Sequence, residues 1–166
     1  MQWSKLKSRI RSFITPELRD RIDFHVTSYR RSHDEAEKLW VTVDGSQVFI
    51  ASWYQHQFAG AKRTSAGALA RDGRGRLVRD PAIPASIRRA EELELHLPQD
   101  VGDSLSAYLD LSADEALRSS DPFVVALAMI DRRVGRGRLE KAKGRTGEHS
   151  LIRLFYELRM SAIAEA

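Results

Sequence analysis

The spacing of apolar residues changes along the chain, and each change marks a new element. Trp3, Leu6, Ile10, Phe13 and Ile14 recur at three- and four-residue intervals with Lys5, Lys7, Arg9 and Arg11 between them, which predicts an amphipathic helix with a basic outer face. Thr15 and Pro16 then cap and open a brief turn through Arg21. From Ile22 the period drops to two. Ile22, Phe24 and Val26 alternate with Asp23, His25, Thr27 and Tyr29, predicting a half-buried strand that ends near Arg30. Past the polar stretch RRSHDEAE, a second strand is predicted from Lys38 to Val43 and a third from Ser46 to about Trp53. Asp44 and Gly45 join these two strands as a hairpin signal, because both central residues of a type I′ turn need positive φ.

A two-residue loop sets Val41 opposite Val48, Trp40 opposite Phe49 and Leu39 opposite Ile50. One sheet face then carries Phe24, Val26, Leu39, Val41, Val48 and Ile50, which helices must cover. The other carries His25, Thr27, Tyr29, Trp40, Thr42, Gln47, Phe49 and Trp53, mixing rings with hydrogen-bonding groups.

Residues 59–86 hold Gly60, Gly67, Gly73, Gly75, Pro81 and Pro84 with few large apolar groups, and read as a mobile insertion in a single domain spanning 1–166. Helices resume from about Pro84. Pro98 interrupts, and Val101, Leu105, Tyr108 and Leu109 line one side of a helix from about Gln99 to Asp110. Ser112 and Glu115 form a capping-box pattern for a short helix through Leu117. Asp121 caps the central helix, which opens with Pro122 and runs uncharged from Phe123 to Ile130, apolar nearly all round and so central to the core. After Asp131, Arg132 and Arg133 place cations at its end, and Gly135 is the expected left-handed stop. A basic turn, Leu139 to Lys143, precedes a last helix from about Glu148 to Ala164, striped by Leu151, Leu154, Phe155, Leu158 and Ile163. Strands followed by a run of helices define an α+β fold: an N-terminal helix, a three-stranded antiparallel meander and a C-terminal helical half.

With 166 residues and no cysteine, the chain can build a core without metals, and disulfides and thiolate chemistry are excluded. No run of eighteen apolar residues and no signal-peptide pattern occurs, so a cytoplasmic protein without membrane contact is expected. The net charge of +4 is unevenly distributed: +2 over 1–59, +6 over 60–90, −8 over 91–121, +5 over 122–145 and −1 over 146–166. An acidic block between basic ones allows internal pairing to absorb much of the positive field.

Two surfaces stand out. The rings of His25, Tyr29, Trp40, Phe49 and Trp53, with Arg30 and Arg31, compose a partner-binding face suited to a protein or to stacked bases, unless a helix covers it or Trp40 and Phe49 are only a cross-strand pair. Arg132, Arg133, Arg136 and Arg138 compose an anion-binding candidate, alternatively a set of arginines capping carbonyls and meeting the acidic helices. The histidines show no ligand spacing, and His33 beside Asp34 is the weakest of acid–base pairs. No phosphate loop, dinucleotide fingerprint or nucleophile elbow is present, so no metal and no cofactor are expected.

WSKLKSRI at Trp3–Ile10, YRRSHD at Tyr29–Asp34, WVTVDG at Trp40–Gly45 and LAMIDRRVG at Leu127–Gly135 resemble, in that order, a family of small uncharacterised bacterial proteins. The resemblance covers residues 2–54 and 104–160, and this chain departs from it in the Ala/Gly/Arg-rich stretch near 59–90 and at Gly137. It implies a bacterial cytosolic protein and carries no reaction with it. The expectation is a noncatalytic binding or regulatory protein that meets a macromolecular partner. The alternatives are nucleic-acid binding and an enzyme acting on a phosphorylated or anionic substrate through His25, His33 or Asp34.

Overall fold

The computed structural model describes residues 2–27, 37–52, 69–71, 77–79 and 96–165. Helix α1, Trp3–Phe13, buries Leu6 and Ile10, and a short α2, Pro16–Arg19, follows with proline in its first turn. Strands β1, Ile22–Thr27, β2, Lys38–Val43, and β3, Ser46–Ser52, form an antiparallel sheet in the order β1-β2-β3. The helical half contains α3, Pro98–Tyr108, α4, Ala113–Arg118, α5, Pro122–Ile130, and α6, Arg136–Ala142. It continues through a 3-10 turn, Lys143–Gly147, to α7, Ser150–Glu165. This is the α+β arrangement that the hydrophobic pattern predicts.

Within the stretch expected to be a loop, two short strands, β4, Leu69–Arg71, and β5, Leu77–Arg79, pair antiparallel. The remainder of 59–86, and with it the expected mobility, lies outside the described residues, as does the helix expected from Pro84.

The hairpin turn is the predicted one, with Asp44 at φ 50° and Gly45 at φ 79°. The register beyond it is not. Val43 opposes Ser46 and Thr42 opposes Gln47, but Val41 then opposes Phe49, Trp40 opposes Ile50 and Leu39 opposes Ala51. Val48 is the extra residue of a β-bulge, and everything after it is shifted by one. Because side chains alternate with period two, the shift turns Phe49 and Ala51 inward and Ile50 outward. Phe49 and Ala51 are buried, whereas Val48 is 38 % exposed. The physical reason is a better core: the shifted register buries an aromatic ring in place of the smaller valine.

The buried face of the sheet meets the helices across a small apolar cavity. Phe24, Leu39, Val41 and Phe49 line it from the sheet, and Val101, Leu105, Phe123, Leu127, Leu151 and Phe155 line it from α3, α5 and α7. α5 is the axis of the packing. All of Phe123 to Ile130 are buried, at roughly 1.5–3 kcal/mol for each large side chain, and α7 lies along it. Asp121 Oδ1 accepts the Phe123 and Val124 N–H groups, and Ser104 Oγ of α3 donates to Asp121 Oδ2. The capping box at Ser112 and Glu115 forms as predicted.

The end of α5 differs from expectation. Asp131 leaves the helix in extended geometry, and Gly135, at φ −78° and ψ 162°, precedes α6 instead of closing α5 in the left-handed region. A β-bridge between Ile14 and Asp131 makes this geometry useful. Thr15 N–H donates to Ile130 C=O and Arg132 N–H donates to Phe13 C=O, strapping the end of α5 to the α1–α2 corner.

Candidate functional site

The outer face of the sheet is built by alternation: β1 contributes Asp23, His25 and Thr27, β2 contributes Lys38, Trp40 and Thr42, and β3 contributes Ile50. His25 and Trp40 are direct cross-strand partners, their rings stacked at 5.0 Å and 11°. His25 Nε2 lies 3.0 Å from Thr42 Oγ1. Both rings stay half-exposed, and so do Thr27, Thr42 and Ile50. Beside them, Lys7 Nζ of α1 donates to Asp23 Oδ2 at 2.9 Å, and Arg11 Nη1 reaches within 4.0 Å of Asp23 Oδ1. Burial would push the Asp23 carboxyl up, but the Lys7 bond and the Phe24 N–H outweigh it and hold it below the usual carboxylate value.

Among the candidate partner-binding residues, the structure therefore brings His25 and Trp40 together. Phe49 is corrected to the opposite, buried face, where it packs on Phe123, His96 and His149. Tyr29, Arg30, Arg31 and Trp53 lie outside the described residues, as do His33 and Asp34.

The trio His25, Thr42 and Asp23 has hydroxyl, imidazole and carboxylate but not their catalytic order. Asp23 Oδ2 stands 3.7 Å from Nε2, the same nitrogen that faces Thr42. A carboxylate that orients a general base holds the other nitrogen. The trio lies on a sheet face that also carries the Trp40 ring, Thr27, Lys38 and Ile50.

The four candidate anion-binding arginines do not converge. Arg133 turns inward: its Nε donates to both oxygens of the fully buried Asp131, and its Nη1 donates to Leu111 C=O. Its guanidinium carbon sits 4.1 Å over the Phe13 ring. Arg136 is paired with Glu140, and Arg138 with Asp114 and the Arg133 carbonyl. Arg132 is exposed, and its backbone N–H is the donor to Phe13. Arg145 likewise ties Leu117 C=O to Glu148. These bonds to carbonyls and to an acidic-helix carboxylate are the structural alternative that the charge blocks predict.

Two groupings have only faint sequence signals. Tyr108 O–H donates to Asp131 Oδ2, so α3 and the end of α5 meet at one buried carboxylate, with the Phe13 ring of α1 packed edge-on against Tyr108. Burial and then the Asp131 charge push the Tyr108 phenol far above its ordinary value. Tyr108 falls on the apolar stripe of α3, so its periodicity is visible while its distant partner is not. The second grouping is His96 with His149, Nε2 to Nε2 at 3.1 Å, packed against Phe49 and Phe123. The apolar pattern starts the last helix at about Glu148, with His149 inside it, whereas the helix begins at Ser150, and histidine is not a residue that marks a helix start. Among the described residues, no group of three or more histidine or acidic side chains is arranged to hold a metal, and no helix is long and apolar enough to cross a membrane.

The fold and this face define an α+β protein with a meander sheet, one side sealed by helices and the other half-open and aromatic. The chain belongs to the SF0329 protein family, an uncharacterised family whose match spans residues 2–160. That span includes the Ala/Gly/Arg-rich stretch left outside the resemblance read from the sequence. Comparison with curated proteins and with solved structures returns no match.

Proposed function

We propose that this chain is a noncatalytic binding or regulatory protein of the bacterial cytoplasm that docks a partner protein on the outer face of its meander sheet. The observation that supports this reading is the His25–Trp40 stack, held flat by Thr42 and left half-exposed beside Ile50. A rigid aromatic pair loses little conformational freedom on binding, and aromatic rings in partly desolvated settings anchor interfaces. Protein is favoured over nucleic acid as the partner because two of the three described cations at this face are already engaged, Lys7 with Asp23, and Arg11 with Asp20 and Asp23, which leaves Lys38 alone to meet a phosphate. Phosphate contact needs cations free to release counterions.

The test is photo-crosslinking in living cells from a photoreactive residue at Gln47, with one at Glu140 as control. A discrete protein adduct from position 47 that disappears in a Trp40→Ala background supports the reading. Adducts with nucleic acid, or protein adducts indifferent to Trp40, would overturn it.

A further inference from the structure

Asp44 and Gly45 form the hairpin turn between β2 and β3, both at positive φ. The same pair carries a reactivity of its own. Glycine has no Cβ to shield its amide nitrogen, so that nitrogen can approach the carboxyl carbon of the preceding aspartate. In that reaction the Gly45 nitrogen gives its proton to solvent and bonds to Asp44 Cγ, and one carboxyl oxygen leaves as water. The product is a five-membered succinimide, which solvent water then opens. Opening at Cγ restores aspartate, whereas opening at the main-chain carbonyl routes the backbone through Cβ and Cγ as isoaspartate. One water leaves and one returns, and nothing is oxidised or reduced. The ring closure needs a neutral carboxyl, because an ionised one is a poor electrophile. It also needs a side chain free to turn Cγ toward the nitrogen.

Arg21 opposes both conditions. Its Nε donates to Asp44 Oδ1 at 3.0 Å and its Nη2 donates to Oδ2 at 2.8 Å, a two-pronged grip that fixes the plane of the carboxylate. The Arg21 carbonyl also accepts the Asp44 N–H at 2.7 Å, so one residue holds both the backbone and the side chain of Asp44. The guanidinium bonds keep the Asp44 carboxyl below the usual carboxylate range, and therefore ionised. Arg21 immediately precedes β1, and the pairing of Ile22 with Val43 brings it beside the turn.

We propose that the Asp44–Gly45 turn is a latent isoaspartate site and that Arg21 is the positioning residue that restrains it. Isoaspartate adds a main-chain carbon to a two-residue turn that has no slack, since Val43 opposes Ser46 directly. The modified chain loses the short turn on which the β2–β3 register rests, and with it the buried seat of Phe49. This restraint is independent of what docks on the outer face of the sheet.

Full-length protein aged at neutral pH and physiological temperature tests the restraint, with isoaspartate located by electron-transfer fragmentation of peptides that contain Asp44. Asp72–Gly73, the other Asp-Gly pair of the sequence, is the reference in the same digests. Isoaspartate at Asp44 should accumulate roughly two- to fivefold faster in Arg21→Gln than in wild type, the factor expected for loss of an exposed ion pair, with the reference unchanged. Arg21→Lys keeps the charge without the fork and should fall between them. Lys7→Gln loses an ion pair elsewhere on the sheet and should age like wild type at Asp44. Equal rates at Asp44 in wild type and both Arg21 variants would overturn the proposal, and so would a Lys7→Gln rate as high as that of Arg21→Gln. Should Arg21→Gln fail to fold, Arg21→Lys against wild type decides.

Discussion

Asp131 has no solvent contact, and three groups converge on its carboxylate: the Tyr108 hydroxyl, the Arg133 side chain and the Arg133 backbone N–H. Removing a carboxylate from such a site strands its partners, so the loss exceeds the value of any single bond. Asp131→Ala is expected to cost roughly 3–5 kcal/mol in urea denaturation, against roughly 1–3 kcal/mol for Tyr108→Phe, which leaves the arginine pairing intact. A cost for Asp131→Ala no larger than that of Tyr108→Phe would show that Arg133 relaxes into solvent. Asp23 tests a different property. Its carboxyl is held below its ordinary value despite burial, so the stability it contributes is present above the unfolded carboxylate value near pH 4 and is lost as pH falls through the lower folded value. Asp23→Asn should therefore flatten the acid limb of a stability–pH curve below about pH 4. An unchanged limb would mean that the Lys7 bond contributes nothing in solution.

At the level of elements, alternation along β1 and β2, the Asp-Gly turn, both N-caps of α4 and α5 and the apolar run of α5 were all legible in the sequence, because each depends on neighbours a few residues apart. The bulge was not. It leaves the polarity of Ser46 and Gln47 untouched, and both candidate registers bury apolar residues, so only the depth of the helical core facing the sheet selects Phe49 over Val48. The same limit applies at Gly135, where a glycine after a helix suggested a left-handed stop. The Ile14–Asp131 bridge, formed by residues far apart in sequence, draws the chain out in extended form instead. The candidate site divides along this line: His25 and Trp40 sit on strands whose pairing the pattern predicts, while Phe49 lies beyond the shift. If Val48 is only the extra residue, deleting it should leave Val41 opposite the phenylalanine in a regular ladder and change stability by less than about 1 kcal/mol. Phe49→Ala should cost roughly 3–5 kcal/mol, because it empties a ring from the core. Thermal denaturation of the two variants checks the contrast, and a deletion as damaging as the alanine would mean that the bulge itself is required.

Across the whole molecule, the two halves share one core. Leu6, Ile10 and Ile14 from the N-terminal helices, Phe24, Leu39 and Val41 from the sheet, and the α5 and α7 side chains belong to a single buried cluster. Polar ties cross the same junction: Arg159 of α7 reaches Glu17 of α2 at 3.4 Å, and the Thr15 and Arg132 N–H groups bond across to Ile130 and Phe13. A sheet whose inner face is covered, among the described residues, by those helices cannot keep its register after they leave, since an isolated meander leaves its apolar side in water. The Trp40 environment and the helical far-ultraviolet signal should therefore be lost together. We expect urea titrations followed by near- and far-ultraviolet circular dichroism to give coincident midpoints, and Leu6→Ala in α1 to lower both equally. Separated midpoints, or an α1 variant that melts helices while the aromatic signal persists, would show that the meander stands without the helical half. In that case the open face would belong to a unit free to meet its partner independently of α7.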